Sequence, residues 1–431
     1  MNKQEAEAFV YKSYLKAEKH QNYNTKDSGK RRPELLRKLI REQSGTPCVV
    51  ITGSKGKGSA AAMISGILQS AYKVGLMTSP HITDFCERFQ VNGCSISDQE
   101  FAFYMSQIQP KLDEIDAEIP KNACISPMGI QTLLGLRYFH AKHTDFNVLE
   151  CGKGARYDDV NQALHQYAVI NSIFLEHTRE LGAALEEIAY DKSHVITGEQ
   201  KCVYLARQSK EVLSVIQKRA DAFQTPVKYY GRDFFAERIR YTNRGMRFDV
   251  VIGKNRYRDL TVPLLGGHQA ENCALAMAVC QDISGDFNLA DVKRKLLELN
   301  WPGRMEVLSS DPLILLDACI HSASCKNVKD VMRHLGMKQA VIIIGIPDDK
   351  DYAGVAKAMQ DAASAVILTK SQNPHYVFTP IQQERLLAAG IPAIWTDSVK
   401  ESLKRAKLFG RPIVILGTTS VISEVKKLKE F

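Results

Sequence analysis

No uncharged apolar stretch in this chain approaches the ~18 to 20 residues needed to cross a bilayer, which excludes a helical membrane span. The N-terminus reads Met1-Asn2-Lys3-Gln4-Glu5-Ala6-Glu7, without the basic and then apolar pattern of a secretory signal, so a soluble, cytoplasmic protein is expected. Cysteine occurs 10 times but never as Cys-x-x-Cys, and Cys48, Cys151, Cys273 and Cys319 lie inside apolar segments. That argues against a zinc site or a disulfide framework and for small buried side chains. Internal repeats and low-complexity segments are also missing, so a repeat array is not expected.

What is present is a chain of 431 residues, too long for one compact core. Two domains are expected, residues 1–300 and 301–431. The formal net charge is +9, yet Lys and Arg are spread along the chain apart from a cluster at Lys26, Lys30, Arg31, Arg32, Arg37, Lys38 and Arg41. An anionic nucleotide, an acidic substrate or a solvated helix face accounts for such a balance, so neither a nucleic-acid nor a membrane partner is expected.

The strongest local signal is a glycine-rich turn, Gly53-Ser54-Lys55-Gly56-Lys57-Gly58-Ser59, between the apolar run Cys48-Val49-Val50-Ile51 and a helical stretch over 59–72. Strand, glycine loop and helix N-terminus together make a phosphate cradle. Glycines let backbone N–H groups approach phosphate oxygens, the helix dipole favours negative charge, Lys57 reaches terminal phosphates and Ser59 is placed to hold Mg²⁺. ATP is therefore the expected cofactor. The loop is shorter than the usual P-loop, because only Ser54 and Lys55 separate Gly53 from Gly56.

Around this loop the pattern alternates between strand and helix. Residues 1–45 read as helical with a turn near 22–29. Met63, Ile64, Ile67, Leu68 and Ala71 form one apolar stripe, as in a helix packed on a sheet. Buried strands are expected at 74–78, 146–150, 168–175 and 202–206, with helices at 129–140 and 185–195. Residues 227–262 alternate in short segments and read as a small antiparallel patch that includes Lys228-Tyr229-Tyr230. Helices follow at 269–283 and 289–297, then strands at 313–316, 340–345, 365–369 and 413–417. The expected fold class is α/β: a P-loop domain on a doubly wound parallel sheet, followed by a smaller Rossmann-like α/β domain.

Further motifs appear in order along the chain: Thr78-Ser79-Pro80-His81, Glu150-Cys151-Gly152-Lys153-Gly154-Ala155-Arg156-Tyr157-Asp158 with Asn161, Leu175-Glu176-His177-Thr178, Leu265-Gly266-Gly267-His268-Gln269-Ala270-Glu271-Asn272 and Trp301-Pro302-Gly303-Arg304-Met305-Glu306. With the short loop, this series resembles the folylpolyglutamate synthase and dihydrofolate synthase family within the Mur ligase superfamily. The resemblance implies an ATP- and Mg²⁺-dependent ligase that activates a carboxylate as an acyl phosphate, which the amine of an amino acid then attacks. A folate-like acid and glutamate are the implied substrates, and a monomer is expected.

By the same resemblance Ser59 and Glu150 hold one Mg²⁺, while Ser79, Glu150 and His177 hold a second. Gly53, Gly56, Lys57, Gly58 and Ser59 cradle the phosphates. Asn272 faces the adenine side, Arg304 the phosphates and Asp317 the ribose. The implied catalytic set is Lys57, His177, Lys192 and His321, with Lys192 at the position where the superfamily carries a carbamylated lysine.

Two stretches depart from the family pattern. Asp317-Ala318-Cys319-Ile320-His321-Ser322 stands where the family reads Asp-x-Ala-His-Asn-Pro, so isoleucine replaces its histidine. Ser126-Pro127-Met128-Gly129 replaces a Thr-Phe-Phe-Glu segment near the family's pterin pocket, removing an aromatic shelf and an acid. Lys55 and Lys153 add positive charge. The same ligase chemistry on a non-folate acid, and a nucleotide-binding subunit without turnover, stand as the alternative readings.

Overall fold

The first strand, β1 (Cys48–Thr52), is buried at all five positions. Cys48 and Val50 point into one apolar core while Val49 and Ile51 point into another. Such a strand is covered on both faces, as in a parallel sheet between helix layers. A computed structural model of the chain describes residues 1–19, 31–286 and 288–428. The turn expected near 22–29, with Lys26 and Lys30, lies outside the described residues.

β1 is joined by β2 (Val74–Met77), β3 (Phe89–Val91), β4 (Cys94–Ser95), β5 (Phe146–Glu150), β6 (Tyr167–Ile170), β7 (Cys202–Leu205) and β8 (Val227–Tyr229). The sheet order is β4-β3-β2-β5-β1-β6-β7-β8, parallel from β2 to β8 and antiparallel at the β3 and β4 edge. Register aligns the strand ends: Ile51 pairs with Glu150, and Thr52 with Ile170. The C-terminal ends of β1, β5 and β6 therefore open on one edge, where the strand order switches direction and α/β folds place ligands. Helices Lys57–Leu68 and Gly267–Ser284 pack together on one face, with Ile64, Ile67, Ala274 and Met277 in the shared core.

Three antiparallel strands, β9 (Phe234–Thr242), β10 (Gly245–Ile252) and β11 (Asn255–Val262), lay Phe234, Phe248, Val250 and Leu260 against that helix pair. The remaining strands, β12 (Glu306–Ser310), β13 (Leu313–Asp317), β14 (Ala340–Gly345), β15 (Ala363–Thr369), β16 (Ala393–Thr396) and β17 (Ile413–Gly417), form a second sheet in the order β12-β13-β17-β14-β15-β16. All its pairings are parallel except β12 with β13. Ile342 and Ile344 enter one of its cores, Val341 and Ile343 the other. Each fully buried aliphatic side chain of this kind contributes roughly 1.5–3 kcal/mol of transfer free energy. Ile82 crosses from the first body into the second core, beside Ile422.

The architecture is the expected α/β class, with three differences in detail. Residues 227–229 are not part of the antiparallel patch; they extend the main sheet as β8, parallel to β7. β6 stops at Ile170 because residues 171–175 leave the sheet to buttress the glycine loop. Elements that went unread in the sequence include the helices Asp98–Glu118, Lys210–Ala222, Cys325–His334 and Val399–Lys407 and the strands β3, β4, β12 and β16. No helix among the described residues is long and apolar enough to cross a membrane.

Candidate active site at the strand ends

The chain leaves β1 through Gly53 at φ +140° and Gly56 at φ +82°, the latter capping the helix Lys57–Leu68. Both are left-handed or strained for any residue with a Cβ. Space forbids a side chain as well. A Cβ on Gly56 would lie 2.8 Å from Asn171 Nδ2 and 3.0 Å from Asn272 Oδ1, and one on Gly58 3.0 Å from Trp301 and 3.3 Å from Glu150 Oε2. Asn171 Nδ2 donates to Asn272 Oδ1 at 3.0 Å, so two buried amides form a floor under the loop. The Ser54 N–H donates to Ser172 O, and Ser54 Oγ lies 3.2 Å from both Phe174 O and Phe174 N. Lys57 Nζ rests on Gly53 O at 3.0 Å.

Glu150 stands at the end of β5, 4% exposed, and accepts the Ser79 N–H at 3.1 Å. Burial raises its pKa, against the charges of Lys57, Arg304 and Arg88 and the Ser79 hydrogen bond. Ser59, 3% exposed, sits one residue beyond Gly58, which abuts this carboxylate. Lys192 is wholly buried and donates to Gly53 O at 3.0 Å and to Lys153 O, with Glu176 Oε1 at 3.1 Å as counter-ion. Burial lowers its pKa from 10.5 to about 8. Asp191 accepts the N–H groups of Ala155 and Arg156, and its carboxylate occupies the space a Cβ on Gly154 would need.

His177 takes a left-handed backbone at φ +47°. Its ring lies 4.0 Å from Glu176 and 3.9 Å from Glu180, and burial lowers its pKa to about 4, so the imidazole is neutral at physiological pH. No hydrogen bond joins His177 to Glu150 among the described residues. Among the described residues, Asp84, Cys86 and Asp98 also bring ligand-type groups together. The Lys3 ammonium already bridges its two carboxylates at 2.6 and 2.8 Å.

The second sheet brings Arg304, Asp317 and His321 to the same edge. Asp317 Oδ2 accepts the Met305 N–H at 2.9 Å, while Oδ1 is buried without a partner. His268 Nδ1 is a second buried polar atom without a partner, and burial with the charges of Lys55 and Arg304 lowers the His268 pKa to about 4. Two orphaned polar atoms beside an arginine and a lysine suit the hydroxyls and phosphates of a nucleotide. Arg304 donates to Gly303 O at 3.1 Å. The His321 ring packs 5.3 Å from Phe174, whose backbone holds Ser54, and Nδ1 lies 3.8 Å from Asp351.

A family model described as the Mur ligase middle domain matches residues 51–280, more than half of the chain. The chain belongs to the Mur ligase family. A probable bifunctional folylpolyglutamate synthase/dihydropteroate synthase of Halobacterium salinarum is 32% identical over 318 residues, covering 74% of this chain and 38% of that protein. The chain spans less than half the length of its Halobacterium salinarum and Haloferax volcanii relatives. A dihydrofolate synthase/folylpolyglutamate synthase of Bacillus subtilis is 26% identical, covering 92% of this chain and 94% of the relative. The same fold is seen in a Mycobacterium tuberculosis folylpolyglutamate synthase complexed with ADP, with a TM-score of 0.86, 24% identity, and coverage of 94% of this chain and 96% of that one.

Near the start of the helix Pro127–Ala141, Gly129 leaves room for a buried acid. A Cβ on Gly129 would lie 2.6 Å from Asp159 Oδ1, so the Asp159 carboxyl fills the space that a side chain at 129 would take. Ser126 Oγ donates to it, and its neighbour Asp158 pairs with Arg31 at 3.5 Å and accepts the Gly152 N–H. Sequence reading missed Asp159 because the match is made across the fold, not along the chain. Burial raises the Asp159 pKa from 3.8 to about 7. The unfolded chain loses this proton first, so stability falls as pH rises from about 4 to about 7. Asp159→Asn removes the cost of the buried charge and is expected to raise stability at pH 8 by a few kcal/mol, on the order of 3, and far less at pH 4. Urea melts at the two pH values check this; equal shifts at both would contradict it.

Proposed function

We propose that this Mur ligase joins the carboxylate of an acid to the amine of an amino acid in an ATP-dependent reaction. The observation that carries it is the convergence of the glycine loop, Glu150 and Lys192 at one sheet edge, with Gly53 O bonded to both Lys57 and Lys192. The loop N–H groups and Lys57 bind the phosphates, Arg304 adds charge from the second body, and Asn272, His268 and Asp317 frame the nucleoside. Ser59, Ser79, Glu150 and neutral His177 are the donors that would hold Mg²⁺, a hard cation suited to oxygen ligands. When bound, that ion supplies charge neutralisation between the nucleotide and the acid. A division into 1–300 and 301–431 would set the nucleotide between two bodies, with closure about residues 301–303 completing the site.

The relatives' names support a folate-type acid and glutamate as the acid and amino-acid classes. Met128, standing where an aromatic shelf is usual, favours as the second reading a non-folate acid handled by the same chemistry. Mass spectrometry of reactions containing ATP, Mg²⁺, glutamate and either dihydropteroate or reduced folates should show a gain of one glutamyl unit. A gain only on another acid from cell extract would move the proposal to the second reading, and ATP binding without any product would reject the ligase assignment.

A further inference from the structure

After β2 the chain crosses the sheet edge as a strap, residues 79–84, that is neither helix nor strand. At its start the Ser79 N–H donates to Glu150 at 3.1 Å. Further along, Ile82 is buried in a core of the second sheet. There its Cδ1 lies 3.5 Å, and Ile422 Cγ2 2.9 Å, from the place a Cβ on Gly303 would take. One short segment therefore joins a carboxylate of the site to the second body.

Two consecutive side chains hold the strap. Glu87 accepts the N–H groups of Ile82, Thr83 and Asp84 at 2.7, 3.1 and 3.0 Å, which fixes the far half. The near half depends on Arg88. Its Nε donates to His81 Nδ1 at 2.9 Å and its Nη1 to Gln131 Oε1 at 2.7 Å, while its carbonyl accepts the Thr78 N–H at 3.0 Å. Gln131 is itself fixed, donating to Pro127 O at 2.8 Å. The guanidinium is 8% exposed, lies over the Phe85 ring at 4.9 Å, and has no carboxylate partner among the described residues. A buried guanidinium bonded only to neutral acceptors gains little from ion pairing to offset its desolvation. What its rigid fork supplies is geometry, because two bonds from one plane fix His81 against the helix Pro127–Ala141.

We propose that Arg88 is a positioning residue: it holds the near half of the strap, so that Ser79 stays on Glu150 while Ile82 is seated in the second body. Its effect on turnover rests on the ligase reading above, and its effect on the strap does not. Without the fork, His81 is released, and the pull of Ile82 on the second body is passed along the chain to Ser79. Glu87 still clamps residues 82–84. Ser79 then loses its fixed place beside Glu150, and the two donors offered to Mg²⁺ no longer stand in one arrangement.

Arg88→Met and Arg88→Lys test this. The lysine keeps the stem and the charge, which reaches Glu150, but cannot bond His81 and Gln131 in one plane, and it guards against loss of fold. Hydrogen exchange in the ligand-free protein, read by mass spectrometry with fragmentation to single residues, should be about 10-fold faster at Ser79 in both variants and unchanged in β5 and β14. Turnover should fall about 10²-fold in Arg88→Met and at least ~10-fold in Arg88→Lys, with KM for ATP and for the acid within about twofold of wild type. Wild-type exchange and turnover in Arg88→Lys would reduce the residue to its charge, and faster exchange throughout β5 and β14 would reduce it to a core residue; either result overturns the proposal. So does a fall in kcat without faster exchange at Ser79. If wild type ligates no acid, faster exchange confined to the strap still sustains the role of Arg88 there, and only the ligase reading falls.

Discussion

Lys57→Ala is expected to abolish product formation, a fall of about 10³-fold or more in kcat/KM, with little change in melting temperature. The side chain is half-buried and makes one hydrogen bond, to Gly53 O, so its removal costs the fold little. Its charge matters more, because it acts on the two groups that define the centre. It holds the Glu150 pKa down against burial and contributes to lowering that of Lys192. Without it Glu150 protonates more readily and the phosphates lose their local counter-charge. Removing one preorganised electrostatic contact typically costs 10² to 10³ in turnover, and here the same change also weakens the carboxylate. Phosphate release with ATP and the best acid, measured beside a thermal melt, reads both effects. Full activity would remove the nucleotide from this loop.

The glycine loop was legible in the sequence because its spacing and its place after an apolar run are local features. The reason each glycine is required was not. Gly56 is confined by Asn171 and Asn272, and Gly58 by Trp301 and Glu150, residues scattered over more than a hundred positions. Buried strands such as β5 and β14 stood out as unbroken apolar runs. β8 did not, since an edge strand of a parallel sheet with one half-covered face shows the same alternation as a hairpin strand. The loss of an acid at Gly129 was visible in the sequence, whereas the packing of Asp159 and Leu36 against that glycine exists only after folding. His268 carries the same lesson, because a motif position gains meaning from an orphaned Nδ1 facing Arg304 and Asp317 across two bodies.

Replacing Lys192 with Met should separate catalysis from stability more sharply than any other change. The folded pKa is about 8 against 10.5 for a free lysine, so the unfolded chain binds the proton more tightly between those values. The buried ammonium therefore costs stability below pH 8, on the order of 3 kcal/mol, and that cost is relieved as pH rises from about 8 towards 10.5. Met keeps the length and removes the charge, but leaves Gly53 O and Lys153 O without their donor and Glu176 without its counter-ion, at roughly 1 kcal/mol each. The two contributions offset each other near neutral pH. The variant should melt within a few degrees of wild type at pH 7, lose the gain in stability that wild type shows above pH 8, and lose at least ~10²-fold in turnover. The same lysine decides the question of carbamylation. A pKa of about 8 leaves about one amine in ten unprotonated at pH 7, enough to react with CO₂. ¹³C-bicarbonate should then give a carbamate resonance that Lys192→Met abolishes. If wild type shows no such resonance yet turns over, Lys192 works as the cation seen here, bonded to Gly53 O and Lys153 O and ion-paired with Glu176. Glu176 is then the counter-ion that holds it in that form.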